Sequence, residues 1–94
     1  MDNKAQIKEW FENKLAGELE LSNHYYLSLF CGIKQTERAV YTMLCVGYDS
    51  TGTKAHRRCQ WIPKSCIENI ENLKMYEDYN VAVTAFECAY SMSM

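Results

Sequence analysis

Apolar residues recur along this chain with two different periods. Ile7, Trp10, Phe11 and Leu15 fall at helical spacing and form one stripe. Asp2 or Asn3 can cap the start of that helix, with Gln6 three residues after Asn3 as in a capping box, and Gly17 is a natural stop. The spacing therefore predicts an amphipathic helix over about residues 3–16. After Gly17 the period shortens to two. "ELEL" alternates, and "HYYLSLFCGI" places Tyr25, Leu27, Leu29, Cys31 and Ile33 on one side of a strand bounded by Asn23 and Gly32. A helix over 18–30 is the competing reading of that stretch.

The clearest strands are "RAVYTMLCVGY" and "TKAHRRCQWI", with the turn residues "DSTG" between them. If residues 49–52 are the loop, Val46 opposes Ala55, Thr42 opposes Cys59 and Val40 opposes Trp61 on an apolar face. The other face then pairs Cys45 with His56, Met43 with Arg58 and Tyr41 with Gln60. A slip of one residue exchanges the two faces. Pro63 ends the second strand, because it has no N–H for the ladder. Lys64 and Ser65 turn the chain, and Cys66, Ile67 and Ile70 return to the core. "NLKMYED" is a polar connection, and "YNVAVTAFECAY" alternates as a last strand, with Val81, Val83 and Ala85 on one face and Thr84 and Phe86 on the other.

Together these elements predict an α+β fold. The N-terminal helix packs on a small, mostly antiparallel sheet of four to five strands, spanning about residues 19–90. A partly open barrel is one way for such a sheet to hide its edges. Ninety-four residues suffice for one domain. No apolar run approaches a membrane span, and the polar N-terminus "MDNKAQIKEWFENK" is unlike a signal peptide, so the expected location is cytoplasmic.

Composition removes several kinds of chemistry. The five cysteines, Cys31, Cys45, Cys59, Cys66 and Cys88, include no C-x-x-C pair, and an odd count without an export signal fits reduced, buried thiols. No zinc-ligand spacing is present. The pairing of Cys45 with His56 is the sharpest catalytic arrangement on offer, but it lacks an orienting third group and an oxyanion hole. Neither an enzymatic activity nor a cofactor is expected.

Charge is more informative. Six basic residues and two acids between Lys34 and Lys64 give that stretch a net charge of +4, whereas residues 1–33 carry −2 and residues 65–94 carry −4. On the expected hairpin, Tyr41, Met43, Lys54, His56, Arg57, Arg58 and Lys64 form the candidate binding surface. Basic groups beside an aromatic can hold single-stranded nucleic acid, and arginine, tyrosine and methionine equally suit a protein interface. Glu68, Glu71, Glu77 and Asp78 could engage a basic surface or serve solubility. An apolar last strand at a sheet edge would offer a route to a homodimer or to addition to a partner's sheet.

"TERAVYTMLC", the corner "WIPKSCI" and the late "YNVAV" resemble a pattern in small uncharacterised proteins of bacteriophages and mobile elements. Those carry a TEKAV-type strand, a W-[IL]-P-K-S-Q-I corner and an acidic segment before the last strand. The resemblance spans about residues 34–85; Cys66 stands where a glutamine is usual, and the N-terminal helix and the "AFECAYSMSM" ending are departures. It implies a small β-rich domain of phage or mobile-element type and brings no catalytic residue with it. Within "WIPKS", Trp61 is expected to anchor the core, Pro63 to fix the strand end and Ser65 to bond the turn. Lys64 is left for binding. The expected function is a non-catalytic protein-binding module, in its most specific form an anti-CRISPR-like inhibitor of a host nucleic-acid-processing complex. The alternative is a small single-stranded nucleic-acid-binding domain that uses the 38–62 hairpin. No membrane partner is expected.

Overall fold

The computed structural model describes residues 3–18, 25–48 and 56–90. In chain order the elements are β1 (Gln6–Ile7), α1 (Glu9–Glu18), β2 (Tyr25–Gln35), β3 (Ala39–Tyr48), β4 (His56–Pro63), a 3-10 turn (Lys64–Cys66), β5 (Ile67–Glu68), a second 3-10 turn (Ile70–Asn72) and α2 (Tyr79–Tyr90). The fold is α+β, as expected. Its strands form two antiparallel sheets, β1-β5 and β2-β3-β4, and β2 and β4 do not close a barrel.

The central strand β3 is covered on both faces. On one face Val40 and Leu44 pack with Leu27, Ile62, Leu15, Ile7 and Ile67 beneath α1 and the small sheet. On the other, Met43 and Cys45 pack with Cys31, Ile33, Ala82 and Phe86 beneath α2. A strand buried on both faces reads as a nearly continuous apolar run, and this explains why "AVYTMLCVGY" does not alternate cleanly. Thr42 is the one buried polar residue described, and its hydroxyl donates to the Gln60 carbonyl at 2.6 Å.

Three expectations are corrected here. The last element is helix α2, not a strand. Ala82, Phe86 and Tyr90 recur every four residues and turn to the sheet, while Val81 is half exposed. Asp78 caps the helix: its Oδ1 accepts from the amides of Asn80 at 2.8 Å and Val81 at 3.2 Å. The C-terminal strand expected to mediate a homodimer is therefore absent. Asp78→Ala is expected to cost about 1 kcal/mol by loss of the cap, which urea unfolding of the variant measures.

The N-terminal helix starts later than its stripe suggests and runs through Gly17. Ile7 lies in β1 opposite Ile67, and Trp10 faces solvent, leaving Leu15 and half-buried Phe11 as the core contacts. The segment before the helix is held by distant partners. Lys8 N–H donates to the Cys66 carbonyl at 2.9 Å, and the Asn72 side chain donates to the Asn3 carbonyl at 2.6 Å.

The hairpin register is the third correction. Val40 opposes Ile62, Tyr41 opposes Trp61, Met43 opposes Cys59 and Cys45 opposes Arg57. This is one residue away from the pairing a four-residue loop dictates, and it places Ile62 rather than Trp61 in the core. Residues 49–52, Lys54 and the "SMSM" tail lie outside the described residues, as do residues 19–24 of the region read as strand or helix. From Tyr25 onward that region is strand β2. Irregularities between Leu29 and Cys31 and between Gly32 and Lys34 move its apolar residues from one core to the other.

The "WIPKS" corner is divided: Trp61, expected to anchor the core, is exposed, while Pro63 and Lys64 shape the strand end. Pro63 is the last residue of β4, Lys64 N–H donates to the Arg38 carbonyl at 2.8 Å, and Cys66 and Ile67 enter the core. Ser65 is exposed.

Candidate functional site

Strand order leaves β4 at an edge of the three-stranded sheet. Its pairing with β3 determines which backbone groups are spent. The Lys64 amide bonds the Arg38 carbonyl, and in an antiparallel ladder hydrogen-bonded pairs alternate. The amides of His56, Arg58, Gln60 and Ile62 therefore point toward β3, and those of Arg57, Cys59 and Trp61 point outward. Among the described residues no backbone partner meets these three.

The side chains of Arg57, Cys59 and Trp61 share the face on which α2 lies, because their partners Cys45, Met43 and Tyr41 belong to that core. α2 covers the rows containing Cys45 and Met43, and Tyr41 of the next row packs against the same cluster. That row runs across all three strands: Lys34 opposes Tyr41, and Tyr41 opposes Trp61. The Lys34 ammonium lies 5.7 Å from the Tyr41 ring centre, and the Tyr41 and Trp61 rings are 5.2 Å apart at 41°. Trp61 is 42% exposed and Tyr79, at the start of α2, is 46% exposed. Arg57 links the strand to the helix. Its Nη1 donates to Glu87 Oε2 at 3.3 Å. The neighbouring Tyr79, ahead of the Glu87 charge, favours the protonated guanidinium still further. Burial, then the neighbouring Cys59, pushes the Tyr41 phenol up, so it stays neutral at physiological pH.

The sequence-derived surface is thus divided between two faces. Tyr41 and Arg57 lie on the α2 side, while His56 and Arg58 oppose Val46 and Leu44 on the α1 side. Met43 is fully buried and belongs to the core. Lys64 sits in the corner, partly exposed, and Lys54 lies outside the described residues. Sequence reasoning missed Trp61, Tyr79 and Lys34 as surface groups. Sliding the hairpin by one residue recovers the Tyr41–Trp61 pair, whereas Lys34 comes beside Tyr41 only through the irregular pairing of β2 with β3.

Cys45 and His56 lie on opposite faces of the sheet, so the His56 imidazole does not activate the thiol. Burial raises the Cys45 thiol, against a smaller lowering from the Tyr90 hydroxyl, and burial with the neighbouring Cys59 pushes Cys31 up to about 11. Alkylation of the native protein at neutral pH is expected to label exposed Cys88 first and half-buried Cys59 more slowly. Cys31, Cys45 and Cys66 should react only on unfolding, and mass mapping of the labelled peptides checks this order. Among the described residues no three His, Cys, Asp or Glu side chains converge as metal ligands. A cavity of about 380 Å³ between β1 and β2 is lined by Lys4, Gln6, Glu12, Ser28, Phe30 and Tyr90, and burial, then the nearby Glu9 charge, pushes the Glu12 carboxyl up.

No family model matches the chain, and neither a curated protein nor a solved structure matches it. Among the described residues no helix is long and apolar enough to cross a membrane.

Proposed function

We propose that this chain is a non-catalytic protein-binding module whose contact surface is the β4 edge and the Lys34–Tyr41–Trp61 row beside it. The observation that supports this reading most is the exposure of Trp61 and Tyr79 next to a strand edge with three outward amides. Buried aromatic and arginine anchors dominate interface energetics, and here the exposed Trp61 lies beside Tyr41 on the same face of β4 as Arg57. The positive charge of residues 34–64 and the resemblance to phage and mobile-element proteins support a host partner from the nucleic-acid-processing machinery. Inhibition of such a complex in the cytoplasm is the most specific form of the proposal.

Capture of partners by tagged protein from nuclease-treated bacterial lysate tests it. A partner retained by the wild type and lost from Trp61→Ala, with the variant's fold intact by circular dichroism, is the expected result. Equal capture by both would remove this surface from the proposal. The adjacent Tyr41 and Trp61 rings, with the Lys34 ammonium over Tyr41, favour single-stranded nucleic acid as the second reading. Affinity for an oligonucleotide that falls steeply with salt would select it.

A further inference from the structure

We infer that β4 accepts an extended acidic segment of a partner protein as an added strand. This deepens the protein-binding reading and rests on it. The outward amides of Arg57, Cys59 and Trp61 provide the ladder, and Pro63, which has no N–H, bounds it on one side.

The two faces of the edge differ in chemistry, and that difference specifies the occupant. Residues directly opposed across a ladder project to the same face. Partner residues opposite Arg57, Cys59 and Trp61 therefore lie on the α2 side, beside the exposed rings of Trp61 and Tyr79. Partner residues opposite Arg58 and Gln60 lie on the α1 side, beside the exposed Arg58 and His56. Arg57 already has a carboxylate in Glu87, whereas no described carboxylate pairs with Arg58. The complementary segment alternates, with apolar or aromatic residues on one side and carboxylates on the other. The three consecutive basic residues His56–Arg58, with no acid anywhere in β4, attract such a strand and oppose a second copy of themselves.

The test uses the full chain carrying Trp10→Phe, which leaves Trp61 as the sole tryptophan fluorophore. The probe is a capped Glu-Val-Glu-Phe-Glu-Val-Glu peptide. Its two backbone-methylated forms block either the amides of the apolar residues or those of the acidic residues. In an antiparallel ladder the apolar residues turn their amides to β4, and in a parallel ladder the acidic ones do. Strand addition is expected to shift Trp61 emission and to be abolished by only one of the two methylation patterns. It is also expected to weaken about tenfold in Arg58→Glu, equivalent to about 1.4 kcal/mol. Replacing every glutamate of the peptide by lysine should abolish it.

Binding that survives both methylated forms, or that both abolish equally, would overturn strand addition. So would a salt-sensitive preference for an oligothymidine over the peptide, or a concentration-dependent dimer broken by Arg58→Glu. Trp61-dependent capture of a lysate protein without peptide binding would sink only this inference and leave the protein-binding function standing. Loss of both would sink the two together.

Discussion

Phe86→Ala is expected to cost about 3–5 kcal/mol, the range for deleting a buried aromatic side chain. Phe86 is 3% exposed, sits edge-on to Phe30 with ring centres 5.2 Å apart, and touches Tyr90 at 4.6 Å. It is the larger of the two residues of α2 that are buried against Met43 and Cys45, and little else can fill its place. At roughly 4–8 °C per kcal/mol for a chain of this size, the melting temperature should fall by well over 10 °C. Val81→Ala is the matched control, because Val81 is half exposed on the same helix. An effect within about 0.5 kcal/mol is expected there. Comparable losses at both positions in thermal unfolding would contradict the helical packing of residues 79–90.

The second large effect is expected at Gly32. A Cβ at that position would collide with the Met75 sulfur and press on Val40 Cγ1 at 3.1 Å and Leu73 Cδ2 at 3.2 Å. The approach is close because the segment after the second 3-10 turn lies along the β2 edge. Gly32 N–H donates to the Lys74 carbonyl at 2.8 Å, and the Tyr76 amide donates back to the Gly32 carbonyl at 3.0 Å. Gly32→Val cannot keep these bonds and that packing together. Overpacking of this kind costs about 1–3 kcal/mol, and the branched side chain places the variant at the upper end. The smaller Gly32→Ala should recover part of its loss when combined with Met75→Ala, because the colliding group is then gone. Urea unfolding of the four proteins in the cycle reads the coupling, and strict additivity would show that the contact with Met75 is not what excludes a side chain.

These two positions also show what the sequence could and could not disclose. The hairpin was legible because β-branched and aromatic residues flank a cluster of turn residues. Its register was not, because register depends on loop length and a single residue exchanges the faces. That exchange alone sends Trp61 to the surface and Ile62 to the core. Residues 79–90 carried both periods at once: Val81, Val83 and Ala85 alternate, while Ala82, Phe86 and Tyr90 step by four. The discriminating signals were Asp78 in the capping position and three alanines in twelve residues, which favour a helix. In β2 the alternation from Tyr25 to Ile33 is real, yet the irregularities flanking Gly32 redirect it, and no local residue pattern announces them. The candidate site suffered from the same register error. Tyr41, Arg57 and Arg58 were singled out, Lys34 was not, Trp61 was assigned to the core, and Met43 was counted as surface although it is buried at the centre of the sheet.

The ties between the N-terminal segment and the stretch after the corner bear on the order in which this chain can fold. Gln6 meets Glu68, Asn3 meets Asn72 and Lys4 meets Asn69, pairs separated by 62, 69 and 65 residues. A loop that long must close before such contacts return any free energy, and non-local pairing of this kind slows folding. As the chain emerges from a ribosome, β2 and β3 can pair early, but Ile7 has no partner strand until Ile67 has been made. The segment around Gln6 is thus made well before the residues that secure it, which lie 62 to 69 positions further along.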